Sequence, residues 1–212
     1  VDLNAVIPNA INQCFINSGQ SCSAPTRLLI PEVSINNIKN IIVNHIKTLI
    51  FNDPNNENTT HGPVVNKKQY NTIQEFIKSG IDEGYEIVTG GLGNPDNCNS
   101  GYFIRPTVFI NVDNSATIAQ EEIFGPVLSI ISYSSIDNAI DIANNSKYGL
   151  SNYITCLEYD DGYNIARRIH SGQSIINKIG RGSVPAPFGG FKQSGNGREH
   201  GKYGLEEYLE IK

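Results

Sequence analysis

Segments patterned for strands alternate with segments patterned for helices along almost the whole 212-residue chain. Apolar Val6, Ile7, Ala10, Ile11, Cys14 and Phe15 recur at three-and-four spacing, so the residues from Leu3 form a helix that buries one face. "TRLLIPEV" reads as a buried strand ending at Pro31, and Ser34 then caps a helix through Ile38, Ile41, Ile42, Ile46 and Ile50. Beyond the polar loop "NDPNNENTTHGP", a helix from Asn66 carries Tyr70, Ile73, Phe76, Ile77 and Ile81 on one side. "YEIVTGG", "FIRPTVFINV" and "GPVLSIISY" follow as strands, then "SIDNAIDIANN" as a helix, "NYITCL" as a strand, "DDGYNIARRIHSG" as a helix and "SIINK" as a strand. This order predicts an α/β fold whose mostly parallel sheet is covered by helices on both faces.

Composition narrows the function. With 39% hydrophobic and 17% charged residues the chain can bury an ordinary core, and a single domain over residues 1–212 is expected. A formal net charge of −5 leaves no basic footprint, so neither nucleic acid nor an anionic membrane is expected as a partner. No run approaches the ~18 apolar residues of a spanning helix, and the start lacks a signal-peptide pattern, which makes a cytoplasmic protein the expectation. Cys14, Cys22, Cys98 and Cys156 are far apart and form no CxxC, so free thiols are expected and no metal site is. The chain contains no methionine and opens on Val1 within a helical pattern, from which a piece of something longer is expected.

Cys22 stands out among the thiols. In "NSGQSCSAPTR" it follows the point where the helical periodicity fails and is flanked by Ser21 and Ser23, a setting suited to a reactive sulfur rather than a packed one. Cys14 belongs to the apolar stripe of the first helix, Cys156 to an apolar strand, and Cys98 to a polar loop where it reads as an inert surface thiol. Gly19 permits a turn with positive φ, either to bring backbone close to a reacting group or simply to end the helix.

"GQSCSAPTR", "QEEIFGPV" (Gln120–Val127) and "PFGGFKQSGNGRE" (Pro187–Glu199) occur in this order, with "GPVVNKKQY" and "GYFIRPTVFINV" between. Together they resemble the aldehyde dehydrogenase superfamily over essentially the whole chain. The resemblance implies that the chain is a C-terminal catalytic domain, with residues 180–212 as substrate loop and C-terminal segment. It implies Cys22 as the nucleophile that attacks an aldehyde, passing through a thiohemiacetal and a thioester to a carboxylate. It further implies NAD or NADP as cofactor, with the Glu122 carboxylate on the nicotinamide ribose and Phe124 beside it. Gln69 is implied near that ribose, although its place at the start of an amphipathic helix also allows a plain surface role. For Glu121 a solvated charge is the expectation.

In the glycine-rich loop the resemblance makes Phe188 a lining residue of the aldehyde tunnel and Phe191 a packing residue beneath it. Gly180, Gly182 and Ser183 leave space where relatives carry larger tunnel residues, so the aldehyde is not specified. The family's water-activating glutamate lies roughly thirty residues before the cysteine, and only 21 residues precede Cys22 here. That glutamate, an upstream asparagine and the domain that binds most of the dinucleotide are therefore expected outside these residues, in a parent that forms homodimers or homotetramers. Turnover by this piece alone is not expected. Two other readings remain: a non-catalytic scaffold derived from the fold, and a cysteine hydrolase with His45, His61, His170 or His200 as base.

Overall fold

In the computed structural model, which describes residues 1–178, 183–210 and 212, the first apolar stripe becomes α1 (Leu3–Phe15). The Asp2 carboxylate caps it by accepting the Asn4 N–H at 2.9 Å, and Ile7, Ile11, Cys14 and Phe15 are fully buried. A turn over Ile16–Gly19, left-handed from Asn17 on, leads toward β1 (Arg27–Pro31). Ser34 does not cap the next helix. Residues Glu32–Asn37 form a 3-10 segment instead, and α2 (Lys39–Ile46) begins after Ile38. The tighter winding lets Ile35 pack against the core and buries Ile38 completely. The helix stops before Ile50 because the Ile50 carbonyl accepts the N–H groups of Thr60 and His61 across the polar loop.

Asn66 caps α3 (Lys67–Asp82) by accepting the Gln69 N–H at 2.9 Å. The chain continues through β2 (Glu86–Thr89), β3 (Thr107–Ile110), α4 (Thr117–Gln120) and β4 (Val127–Tyr133). These strands form one sheet in the order β1-β4-β3-β2, parallel except for β2 at the edge. The period-two alternation of side chains assigns its faces. Val108, Ile110, Leu128 and Ile130 pack in one cluster with α1 and α2, whereas Phe109 points the other way, toward Gly80 of α3.

Two compact units result, Asp2–Ser135 and Ile136–Lys212 with Val1. The second comprises α5 (Ile136–Asn144), β5 (Tyr148–Gly149), β6 (Ser151–Ile154), α6 (Tyr159–Ala166), β7 (Gln173–Ile176), β8 (Phe191–Lys192) and α7 (Gly201–Glu206). β6 and β7 pair in parallel, and β5 pairs with β8 antiparallel. Cys156 falls beyond the end of β6 and is half-buried rather than core, its N–H donated to Asn177 Oδ1 at 2.9 Å. Cys98 is corrected in the opposite sense. It is only 5% exposed, clustered with Phe51 and Phe103, and its thiol donates to the Phe51 carbonyl at 3.2 Å. No described helix is long and apolar enough to cross a membrane.

Candidate active site

Three segments of the Asp2–Ser135 unit meet at the turn that leads into Cys22. The first is that turn itself, where Asn17, Ser18 and Gly19 are all left-handed, with φ of 51°, 55° and 76°. Holding the two non-glycine residues there costs roughly 1–2 kcal/mol each. Local hydrogen bonds offset that cost. Ser18 Oγ donates to the Gly62 carbonyl at 2.6 Å, and Gln20 Oε1 accepts the Val65 N–H at 2.9 Å. Gln20 Nε2 donates to the Asn17 carbonyl at 3.0 Å, and Asn17 Nδ2 returns a bond to the Gln20 carbonyl at 3.1 Å. Cys22 emerges exposed from this turn, its Sγ 3.8 Å from Ser23 Oγ.

Gly19 serves close approach as well as conformation. A Cβ there would stand 2.1 Å from the Gly125 carbonyl carbon and oxygen, so only glycine lets the turn rest on the third segment, Glu122–Pro126. Parallel pairing of β1 with β4, Arg27 opposite Ser129, brings both leading segments to the same end of the sheet. Within the third segment Ile123 is buried, Glu122 is exposed, and Phe124 is half-buried with a left-handed φ of 56°.

Gly62–Gln69 bridges the other two segments. At one end it supplies Gly62 and Val65 to the cysteine turn. At the other, Gln69 Nε2 donates to the carbonyls of Ile123 at 3.0 Å and Phe124 at 3.1 Å. Both amide hydrogens of Gln69 are thus directed into the protein. The turn that precedes Cys22 and the backbone of Ile123 and Phe124 are therefore both hydrogen-bonded to Gly62–Gln69. Sequence reading missed the structural parts of Ser18, Gln20, Gly62 and Val65. The Asn-Ser-Gly run was a usable signal, since asparagine and glycine tolerate the left-handed region. Backbone partners such as Gly62 and Val65 leave no mark in the sequence.

The two histidines of this unit are engaged elsewhere. His61 is 8% exposed and stacks on Phe51 with centroids 4.7 Å apart, while its Nδ1 lies 2.8 Å from Thr60 Oγ1. His45 Nε2 is 2.8 Å from Asn12 Oδ1. Burial lowers both pKa values from the ordinary imidazole range, and for His61 the neighbouring His45 adds to the effect. Among the described residues no group of three or more His, Cys, Asp or Glu side chains could hold a metal.

The glycine-rich loop belongs to the second unit. Phe188 is fixed by reciprocal 2.7 Å backbone hydrogen bonds with Glu199 and meets the His200 ring edge-on at 6.4 Å. Phe191 does not pack beneath the loop. It is 47% exposed on the short strand β8, with the Arg198 guanidinium 5.0 Å from its ring centroid. Ser183 is exposed, and Gly180 and Gly182 lie outside the described residues.

The aldehyde dehydrogenase family profile matches residues 1–212. A Staphylococcus haemolyticus protein whose name marks it as a candidate aldehyde dehydrogenase is 46% identical over 212 residues, covering 100% of this chain and 44% of that protein. Aldehyde dehydrogenase C of Pseudomonas syringae, solved as a mutant with NAD+ and octanal, superposes with a TM-score of 0.95 at 42% identity, over 99% of this chain and 43% of that one. A Mycobacterium tuberculosis aldehyde dehydrogenase complexed with NAD+ gives 0.94 at 41% identity, over 98% and 43%. The chain thus spans about 44% of the length of the curated relatives it matches.

Proposed function

We propose, from the premise that this chain belongs to the aldehyde dehydrogenase family, that Cys22 is the nucleophile of an NAD(P)-dependent aldehyde oxidation. The observation that carries this reading is the framework itself: an exposed thiol just after a left-handed turn, with that turn fastened through Gly62–Gln69 and Gly125 to the segment that carries the exposed Glu122. The Cys22 thiolate adds to the aldehyde carbon, forming a C–S bond as the carbonyl electron pair moves onto oxygen. A backbone N–H beside Cys22 is the donor proposed for that oxyanion. Loss of hydride from the adduct leaves a thioester, which water hydrolyses to the carboxylate and the free thiol.

NAD or NADP, when bound, supplies the hydride acceptor. The carboxylate of the site suits its ribose as an acceptor. Glu122 is exposed and offers two acceptor oxygens to adjacent hydroxyls, with Phe124 two residues on. Phe188 and Ser183 belong to the proposed aldehyde-facing loop. Water activation and most of the dinucleotide contacts fall to residues outside this chain. In a full-length enzyme carrying these residues, Cys22→Ser abolishes aldehyde-dependent cofactor reduction. Glu122→Gln slows single-turnover hydride transfer while the Cys22 adduct still forms, because the amide loses charge and one acceptor. Unchanged hydride transfer in Glu122→Gln removes that residue from the site, and retained activity in Cys22→Ser refutes the proposal.

A further inference from the structure

Phe124 has a backbone conformation that a bulky side chain rarely adopts. On one side of it Ile123 is 1% exposed, and on the other Gly125 is wedged between Gly19 and Ile73, where a Cβ would come within 2.5 Å of Ile73 Cδ1. The chain must therefore turn sharply between two fixed points, and the left-handed residue makes that turn. The Ile123 and Phe124 carbonyl oxygens, which the turn brings together, both receive hydrogen bonds from Gln69 Nε2. Gln69 is itself anchored, since its backbone N–H is the one that caps α3 on Asn66.

We propose that Gln69 is a positioning residue, whose side-chain amide holds Phe124 left-handed and so sets the pose of the Glu122 carboxylate. The inference rests on the function proposed above and assigns Gln69 a different part from contact with the ribose. Apart from the packing of Gly19 on Gly125, the cysteine turn is held by hydrogen bonds that do not involve Gln69, Ser18 on Gly62 and Gln20 on Val65. Losing the Gln69 amide therefore disturbs the cofactor carboxylate and spares the nucleophile.

The test uses Gln69→Glu, which keeps the volume but turns an acceptor toward two carbonyl oxygens, and Gln69→Ala, which removes the bonds without adding charge. The conformation of Phe124 is read in this chain from a crystal structure or backbone chemical shifts. In the full-length enzyme, KM for dinucleotide, KM for aldehyde, hydride transfer and Cys22 acylation by p-nitrophenyl acetate are compared. The expected result is that Phe124 leaves the left-handed region and KM for dinucleotide rises on the order of tenfold, as mispositioning of this kind implies. Aldehyde KM and Cys22 acylation stay within about twofold, because their hydrogen bonds are untouched. Phe124 remaining left-handed in both variants overturns the proposal, as does a loss of acylation equal to the loss of hydride transfer. Should the unsubstituted enzyme reduce no dinucleotide, the function proposed above fails, and the Phe124 conformation still decides whether Gln69 holds the turn.

Discussion

Cys14 and Cys98 keep their protons because burial penalises the thiolate, and in both the pKa is raised above the ordinary thiol value. Cys156 is half-buried, and Cys22 is exposed. Limiting iodoacetamide near neutral pH should therefore label Cys22 first, as peptide mapping would show, and preferential labelling of Cys98 would contradict the assignment. His61 yields a second expectation. Its folded-state pKa is lowered, so below the unfolded value of about 6.5 the unfolded chain binds the additional proton. The stability it contributes is present above that pH and is lost as pH falls through the folded value; His45 contributes in the same direction. His61→Phe retains a ring against Phe51 and should flatten part of this acid dependence in urea titrations between pH 7 and 5, whereas an unchanged slope would refute it. At this scale the exposure of Cys22 was legible because its flanking residues break the helical pattern. Cys98 was not, since Phe51 and Phe103 enclose it from outside its own polar segment, and nothing in the Gln69 side chain announced which carbonyls it would reach.

Amphipathic periodicity made the long elements legible: α1, α3, α5 and the strands of the sheet lie where apolar spacing placed them. The short ones were hidden. β5 and β8 have two residues each and α7 has six, too few to establish a period, and their pairing is set by tertiary contacts. Packing between α3 and β3 gives a test at this scale. Gly→Ala in a helix ordinarily stabilises by about 0.8–1 kcal/mol. At Gly80 a Cβ would stand 2.9 Å from the fully buried Phe109 ring and 3.0 Å from Ile118 Cδ1. Overpacking of that kind costs roughly 1–3 kcal/mol, so Gly80→Ala should lower the urea midpoint rather than raise it. A stabilised variant would mean that α3 can move off the sheet. Ile11→Ala, emptying a fully buried site between α1 and the sheet, should cost about 2–5 kcal/mol by the same measurement, and a loss below ~1 kcal/mol would contradict its place in the core.

For the whole molecule, the sequence alternation carried the α/β class, while the division into Asp2–Ser135 and Ile136–Lys212 was not legible, because no Pro/Gly-rich linker marks Ser135. The proposed nucleophile and cofactor carboxylate both lie in the first unit, and the chain spans about 44% of its relatives. Residues 1–212 alone should accordingly perform only the covalent half of the reaction. On the proposed reading this chain offers one ribose contact, from Glu122, too little to position a dinucleotide, and positioning can account for ~7–11 kcal/mol of a barrier. The most direct test treats the isolated chain with p-nitrophenyl acetate, follows it by intact mass and peptide mapping, and in parallel monitors reduced nicotinamide with aldehyde and NAD or NADP. The account requires one slowly released acetyl group on Cys22, absent in Cys22→Ser, with no sustained cofactor reduction; acetylation spread evenly over Cys22, Cys98 and Cys156, or persisting in Cys22→Ser, would contradict it.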